Sequence, residues 1–433
     1  MRRFHNYPKA HDDYKFSRIL YYVECLLEYF INILVSGAYL AKLTTTIGIS
    51  DGMTAILSEL TALSGIFQIL SIYLSHKTPV KRWLIPMMTV PQLLFAGVYL
   101  IPLLDIRLSA SAIFFVAIFA ARAIASIASP IKLNWFMSLV EPTRRGQFSA
   151  TNVIVSTIGA MAFTFSASAL IDYFEASGNM NGAYLTFSIM ILVLTVLHVL
   201  SLVLAKENAP PTVFKNESPF ASVGSLIKNK AYMRVVVLYA LFGIASAATT
   251  PFLGTYQINE LGFSMTFISV LDIVMSILTV LATYYFGKYS MHASYANLVR
   301  MSHIFYVLAF AFIVFTTPTW GAFTFIGYRI MLLIGGSMRT ASATTLLFGM
   351  APPEDRTSAL AINTIATGVA SFLTTLALTP FVSYVQESGN TFLGIPVYAQ
   401  QILALFSAAT FILVMLYYRV FCKRLLEATS QDY

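Results

Sequence analysis

Charge is scarce in this chain. Asp, Glu, Lys and Arg make up 11% of its 433 residues, whereas soluble domains carry about 25%. That is too little polar surface to cover a globule in water, which excludes a soluble fold. Cysteine is nearly absent. The two present, Cys25 and Cys422, fall near predicted cytoplasmic ends, and no disulfide is expected. No Gly-x-x-x-x-Gly-Lys-Ser/Thr phosphate cradle occurs, so ATP is not expected to drive the protein. Neither HExxH nor Gly-x-Ser-x-Gly is found. An enzyme needs clustered nucleophile, base or metal ligands at one depth, and the sequence shows none. His198 and His303 each stand alone in their apolar segments, so no metal site and no cofactor are expected. The first 17 residues are polar and lack the apolar core and small-residue cleavage site of a secretory signal. The first apolar segment is therefore expected to remain in the mature protein.

Long apolar runs dominate what is there. Hydrophobic residues make up 58% of the chain, with 34 Phe and 24 Tyr. A spanning helix needs about 20 mostly apolar residues. Twelve segments meet that length: 18–41, 51–74, 83–104, 109–133, 148–171, 183–205, 233–257, 264–287, 298–316, 320–346, 357–384 and 396–420. The chain has 27 Lys and Arg against 19 Asp and Glu. These charges sit in short loops rather than in a patch, which removes a nucleic-acid reading. With the N-terminus placed in the cytoplasm, the cytoplasmic segments hold 22 Lys and Arg and the outer loops hold two, Lys42 and Arg107. Lys132 is counted with Arg144 and Arg145 in a cytoplasmic joint. This positive-inside split predicts an even number of spans with both termini cytoplasmic. The expected partners are the bilayer, a small-molecule substrate and protons, and the protein is expected to be a plasma-membrane monomer.

The chain repeats itself. Pro142, Arg145, Ala150 and Asn152 are matched 211 residues later by Pro353, Arg356, Ala361 and Asn363. The same offset pairs Tyr73 with Tyr284 and Lys77 with Lys288. One register serving two joints predicts a chain built twice. The longest polar stretch, Lys206 to Lys230, follows the sixth apolar segment. The predicted organisation is an N-terminal six-helix bundle over 1–205, a cytoplasmic linker over 206–232 and a C-terminal bundle over 233–433. Ser222 to Arg234 is expected to form a short surface helix with Leu226 and Ile227 directed towards the bilayer.

Twelve spans, two repeated halves, a long central loop and basic joints after spans 2, 4, 8 and 10 resemble the major facilitator superfamily. That family's loop between spans 2 and 3 usually reads Gly-x-x-x-Asp-Arg-x-Gly-Arg-Lys. Here Ser71 and Ser75 stand at the glycine and aspartate positions, and Lys77, Lys81 and Arg82 keep the basic character. Arg122 stands where many members carry an arginine in span 4. The resemblance implies an all-α integral membrane fold of two pseudo-symmetric six-helix bundles. It also implies solute transport by alternating access, with gates at the cytoplasmic joints: Lys77, Arg82, Pro142, Arg145, Lys288, Pro353 and Arg356. Span 5 lacks the Gly-Pro signature of the drug–proton antiporter branch.

Charge inside a bilayer costs about 2.5–3.5 kcal/mol on insertion scales, so residues that keep it there earn attention. They are Glu24 and Glu28 in span 1, Glu59 in span 2, Arg122 in span 4, Asp272 in span 8, and Arg329 and Arg339 in span 10. Glu24, Glu28 and Asn32 recur at i, i+4 and i+8 and share one helical face. Two acids one turn apart on a buried face form an expected proton site, with Glu59 and Asp272 as further candidates. Glu24 also lies within about 9 Å along the helix of Arg18, so a solvated end-charge is the alternative. Arg122, near mid-depth, is expected to anchor an anionic group or to balance Glu28. Arg339 is expected to snorkel towards the cytoplasm. Asn32, Arg329, Tyr256, Gln257 and Asn363 complete the expected substrate contacts. Under the 211-residue offset none of the intramembrane charges is duplicated, so they are expected to serve an asymmetric substrate or ion. The leading reading is a proton-coupled secondary transporter of a small polar or anionic solute. Within the fold, export of amphipathic compounds is the alternative; outside it, a lipid-translocating protein or membrane-embedded enzyme.

Overall fold

The computed structural model describes residues 14–71, 80–104, 110–140, 145–207, 219–289, 295–350 and 356–422. Among the described residues, twelve helices are long and apolar enough to cross a bilayer. In chain order they are span 1 (Lys15–Ile47), span 2 (Asp51–Ser71), span 3 (Val80–Leu103), span 4 (Ala110–Ser138), span 5 (Thr151–Ala176) and span 6 (Met180–Leu204). The second series is span 7 (Lys230–Glu260), span 8 (Met265–Phe286), span 9 (Asn297–Val314), span 10 (Gly321–Thr340), span 11 (Ser358–Glu387) and span 12 (Ala399–Cys422). Hydrocarbon offers no partner for backbone N–H and C=O groups, so apolar runs of this length satisfy them internally as helices. This is a multi-pass membrane protein.

Polar residues mark where several helices start. The Asn229 side chain accepts from Ala231 N and Tyr232 N, and Ser50 accepts from Met53 N at 3.3 Å. Each satisfies amides that have no partner within the first helical turn. The short helix before span 7 runs Pro219–Lys228. Leu226 is buried in a core cluster and Ile227 is exposed, so only one of the two expected apolar contacts faces outward.

The repeat read from the joints extends to whole helices. Helices Ala110–Ser138 and Gly321–Gly349 begin and end 211 residues apart. So do Arg145–Ala176 and Arg356–Glu387. The described residues form two compact units. One holds Met1–Tyr39 and Phe67–Phe214, the other Leu40–Ile66 and Lys215–Tyr433. The second unit thus takes in a segment, Leu40–Ile66, that the sequence places in the first half.

Aromatic packing fills both cores. In the first unit Tyr21 lies 4.7 Å from Phe136 and 5.1 Å from Phe148, ring centre to ring centre. In the second, Phe242, Tyr306, Phe310 and Phe411 form a ring cluster with separations of 4.8–5.6 Å. Such offset and edge-on pairs add about 0.5–1.5 kcal/mol each beyond area burial.

Within the second unit span 2 lies directly against span 11. Gly368 faces the backbone of Ala62 so closely that a Cβ would overlap its carbonyl oxygen. Interfaces between membrane helices favour small residues for this reason. Gly368→Ala is therefore expected to lower stability by about 1–3 kcal/mol, the usual cost of overpacking. Thermal unfolding in detergent checks this, and an unchanged midpoint would contradict the close approach.

Candidate functional site

Span 1 is broken. Its helix runs Lys15–Leu34 and resumes as Gly37–Ile47. Gly37 takes φ +52°, a left-handed conformation that glycine adopts without strain. A break inside a bilayer releases carbonyls that need donors. Tyr99 Oη donates to Leu34 O at 2.6 Å. Arg122 Nη2 donates to Val35 O at 3.3 Å, and its Nη1 donates to Asn32 Oδ1 at 2.5 Å. The guanidinium also lies 5.0 Å from the centre of the Phe95 ring. Arg122 and Asn32 thus meet beside this break. The arginine is bound to the broken helix end and to an amide, not to an acid.

The cation facing the acids is Lys132. Its ammonium donates to Glu24 Oε2 at 3.1 Å and also to Glu28 Oε2. This corrects the placement of Lys132 in a cytoplasmic joint: it is buried, and its helix continues to Ser138. Removing it from the cytoplasmic count leaves 21 of the 22 charges against the two outside. The signal for this was the apolar run Trp135-Phe136-Met137 that follows it. Glu24 is 0% exposed, which excludes the solvated end-charge alternative. Glu24 also accepts from Cys25 Sγ at 3.2 Å. His198 Nε2 lies 3.2 Å from Glu24 Oε2, and Gln92 Nε2 lies 3.0 Å from His198 Nδ1. With the Gln92 amide donating to Nδ1, the ring proton sits on Nε2 and donates to Glu24. Ligand atoms of Glu24, Glu28 and His198 lie within 4.8 Å of one another. That is a cluster of possible ligands where the sequence predicted none, although His198 is still the one histidine of its span. Lys132 already contacts both carboxylates, so any other cation would have to displace its ammonium.

The second unit holds the arginines of span 10. Arg329 Nη2 donates to Asp272 Oδ1. Arg339 does not snorkel: its guanidinium carbon lies 3.8 Å from the centre of the Phe242 ring and 5.7 Å from that of Tyr239. Arg329 and Arg339 both line a cavity of about 620 Å³ between spans 8, 9 and 10.

The family model of the Major Facilitator Superfamily matches residues 25–375. The chain belongs to the major facilitator superfamily. Solved structures agree on the fold. A variant of the nucleoside transporter NupG superposes with TM-score 0.73 at 14% identity, covering 94% of this chain and 100% of that one. A POT family transporter in complex with a thioalcohol-conjugated peptide gives 0.66 at 12% identity, covering 95% and 96%. A bacterial homologue of the human lysosomal transporter Spinster gives 0.66 at 12%, covering 98% of each chain. No curated protein sequence matches the chain. A major facilitator is a transporter and not an enzyme.

The remaining expected residues fall in several settings in this major facilitator. Glu59 is partly buried in span 2. Tyr256 is fully buried, and its hydroxyl donates to Thr316 O at 2.7 Å. Gln257 donates to Leu253 O within its own turn of chain. Both therefore serve internal packing rather than facing the cavity. Asn363 is partly buried, and its Oδ1 has no hydrogen-bond partner. Its repeat counterpart Asn152 has the same buried, unpartnered oxygen. Arg82 is exposed in the first turn of its helix. Lys77, Pro142 and Pro353 lie outside the described residues. Arg145, Lys288 and Arg356 lie on helices whose side chains at those positions are also outside the description.

Sequence reasoning missed a second carboxylate cluster. Asp51 accepts from Asn259 Nδ2 at 3.0 Å and from Gln386 Nε2 at 2.7 Å. It ties span 2 to spans 7 and 11 within the second unit. Asp51→Ala would remove the buried acceptor shared by Asn259, which is exposed, and Gln386, which is partly buried, at about 0.5–1.5 kcal/mol for each bond. Thermal unfolding of the variant measures this, and a wild-type midpoint would show the bonds to be idle.

Proposed function

We propose that this major facilitator is a proton-coupled secondary transporter that moves a small polar or anionic solute by alternating access. The buried Glu24–Lys132–Glu28 cluster carries the reading. Two ionised carboxylates and one ammonium leave a net charge of −1, with His198 neutral. One proton brings the cluster to neutrality. An unbalanced charge is costly in a bilayer, so protonation favours the states in which the site is closed to water. The two acids differ in access: Glu24 is 0% exposed and Glu28 is 23% exposed. Glu28 is thus the one placed to exchange protons with water, and Glu24 holds Lys132 and His198 in position.

Asymmetry supports the reading as well. Under the repeat offset, Glu24, Glu28 and Lys132 correspond to Val235, Tyr239 and Ala343. Only one half carries the ionisable cluster, as an ion site separate from the shared scaffold requires. Polar cargo fits two of the fold neighbours, which are named for a nucleoside and for a bound peptide conjugate.

The test is uptake into proteoliposomes holding an alkaline interior. A panel of nucleosides, hydroxycarboxylates and dipeptides should include one solute that accumulates, and a protonophore should abolish that accumulation. Accumulation that survives the protonophore would sink proton coupling.

A further inference from the structure

The Arg329–Asp272 ion pair stands at the wall of a cavity and leaves most of its hydrogen-bonding capacity unused. Arg329 lines the cavity between spans 8, 9 and 10, whose volume is about 620 Å³. Sites for small molecules usually measure about 300–1,000 Å³. Asp272 lies on the same face of span 8 as Met275 and Thr279, at i, i+3 and i+7, and both of those line the cavity. The two charged residues sit seven and eight residues into spans 8 and 10, roughly 10 and 12 Å along their helices at 1.5 Å per residue. They share one depth. Their side chains are 28% and 44% exposed, so the pair is open rather than sealed in packing. A guanidinium carries five N–H donors. Among the described residues Arg329 makes one hydrogen bond, from Nη2 to Asp272 Oδ1, and Asp272 Oδ2 accepts none. Arg339, also in the wall, is engaged over the Phe242 ring at 3.8 Å.

We propose that this pair is the recognition site for a zwitterionic α-amino acid, with the ligand carboxylate on Arg329 and its ammonium on Asp272. The assignment rests on the reading of the chain as a solute carrier and names the class of its solute. The two protein charges are in contact, so a ligand that bridges them must carry its own charges close together, as an α-amino acid does on a single carbon. Bound this way, every charge of protein and ligand faces its opposite, and the planar guanidinium meets the carboxylate through two parallel hydrogen bonds. An acid without the amine sets a second carboxylate beside Asp272. An amine without the acid sets a second cation beside Arg329. Like charges brought together at membrane depth are costly, and that repulsion is what gives the site its selectivity. Met275, Leu332 and Leu333 supply an apolar wall for the ligand side chain. The pair belongs to one half only: under the repeat Asp272 and Arg329 correspond to Thr61 and Ile118. It also lies in a different compact unit from the carboxylate–lysine cluster.

Thermal stabilisation of the purified full-length protein tests this without any ion gradient. The probes are leucine and threonine, each beside its two single-charge analogues. For leucine these are 4-methylpentanoate and isopentylamine; for threonine they are 3-hydroxybutyrate and 1-amino-2-propanol. At least one amino acid should stabilise the wild type, and its two analogues should not. Arg329→Gln should weaken that binding at least tenfold. Asp272→Asn keeps the shape of the side chain and an acceptor for Arg329, which guards against misfolding, but it removes the partner of the ammonium. This variant should reverse the preference, binding the amine-less acid more tightly than the amino acid. The site is overturned if neither amino acid stabilises the wild type, or if a single-charge analogue does so as well as its parent. Undiminished binding in Arg329→Gln, or an unreversed preference in Asp272→Asn, overturns it equally. No gradient is present, so a failure of proton coupling leaves this result untouched, and the two readings fall separately.

Discussion

Replacing Glu28 with glutamine is expected to lower proton-driven accumulation at least tenfold while leaving exchange of labelled for unlabelled solute near the wild-type rate. Glutamine keeps the shape of the side chain and an oxygen that can accept from Lys132. It removes the ability to take up a proton. Exchange needs only that the loaded carrier reorient, whereas accumulation needs a proton bound on one side and released on the other. An effect confined to accumulation therefore separates coupling from binding and from folding. The measurement is uptake into proteoliposomes with and without a pH gradient, alongside counterflow. Accumulation equal to the wild type at every external pH would remove Glu28 from the coupling step.

Lys132→Met should be the most destabilising single substitution in the first unit, at about 3–5 kcal/mol, the usual cost of leaving a buried ion pair half-removed. Methionine fills similar volume, so packing alone does not explain a loss of that size. The deficit comes from two carboxylates left without their ammonium, Glu24 among them at 0% exposure. Adding Glu24→Gln and Glu28→Gln should recover most of the loss, because neutral amides no longer need the cation. Stability is read from thermal unfolding in detergent for the single and triple variants. If the triple variant is no more stable than Lys132→Met, the loss is one of shape and the charge account is wrong. Methionine also cannot replace the lysine in transport, so both variants should fail to accumulate solute.

How much of this was legible beforehand differs residue by residue. The twelve spans were readable because bilayer thickness demands long apolar runs, and nothing in the tertiary structure can shorten that demand. The 211-residue repeat was readable at two joints and proved to hold across whole helices, Ala110–Ser138 with Gly321–Gly349. Glu24 and Glu28 were readable as a pair from their spacing alone. Their partner was not. Lys132 lies 108 residues from Glu24, and a lysine near a span end looks like any other topogenic charge. His198 was passed over for the same reason, since its neighbours Gln92 and Glu24 come from other spans. Arg122 was readable as an unusual buried charge. What it binds depends on the break at Val35–Gly37, which apolar periodicity does not show.

The sequence by itself determined the membrane class, the number of spans, the repeat register and most of the residues that carry charge at depth, Lys132 excepted. Those follow from composition and from position along one chain, where bilayer energetics act segment by segment. Only the tertiary structure decided which charges meet: Lys132 with Glu24 and Glu28, Arg329 with Asp272, Arg339 with Phe242. Helices that neutralise one another do so through side chains far apart in sequence, and the rotation of each helix about its axis is set by packing. That rotation selects the partner of each of these buried charges.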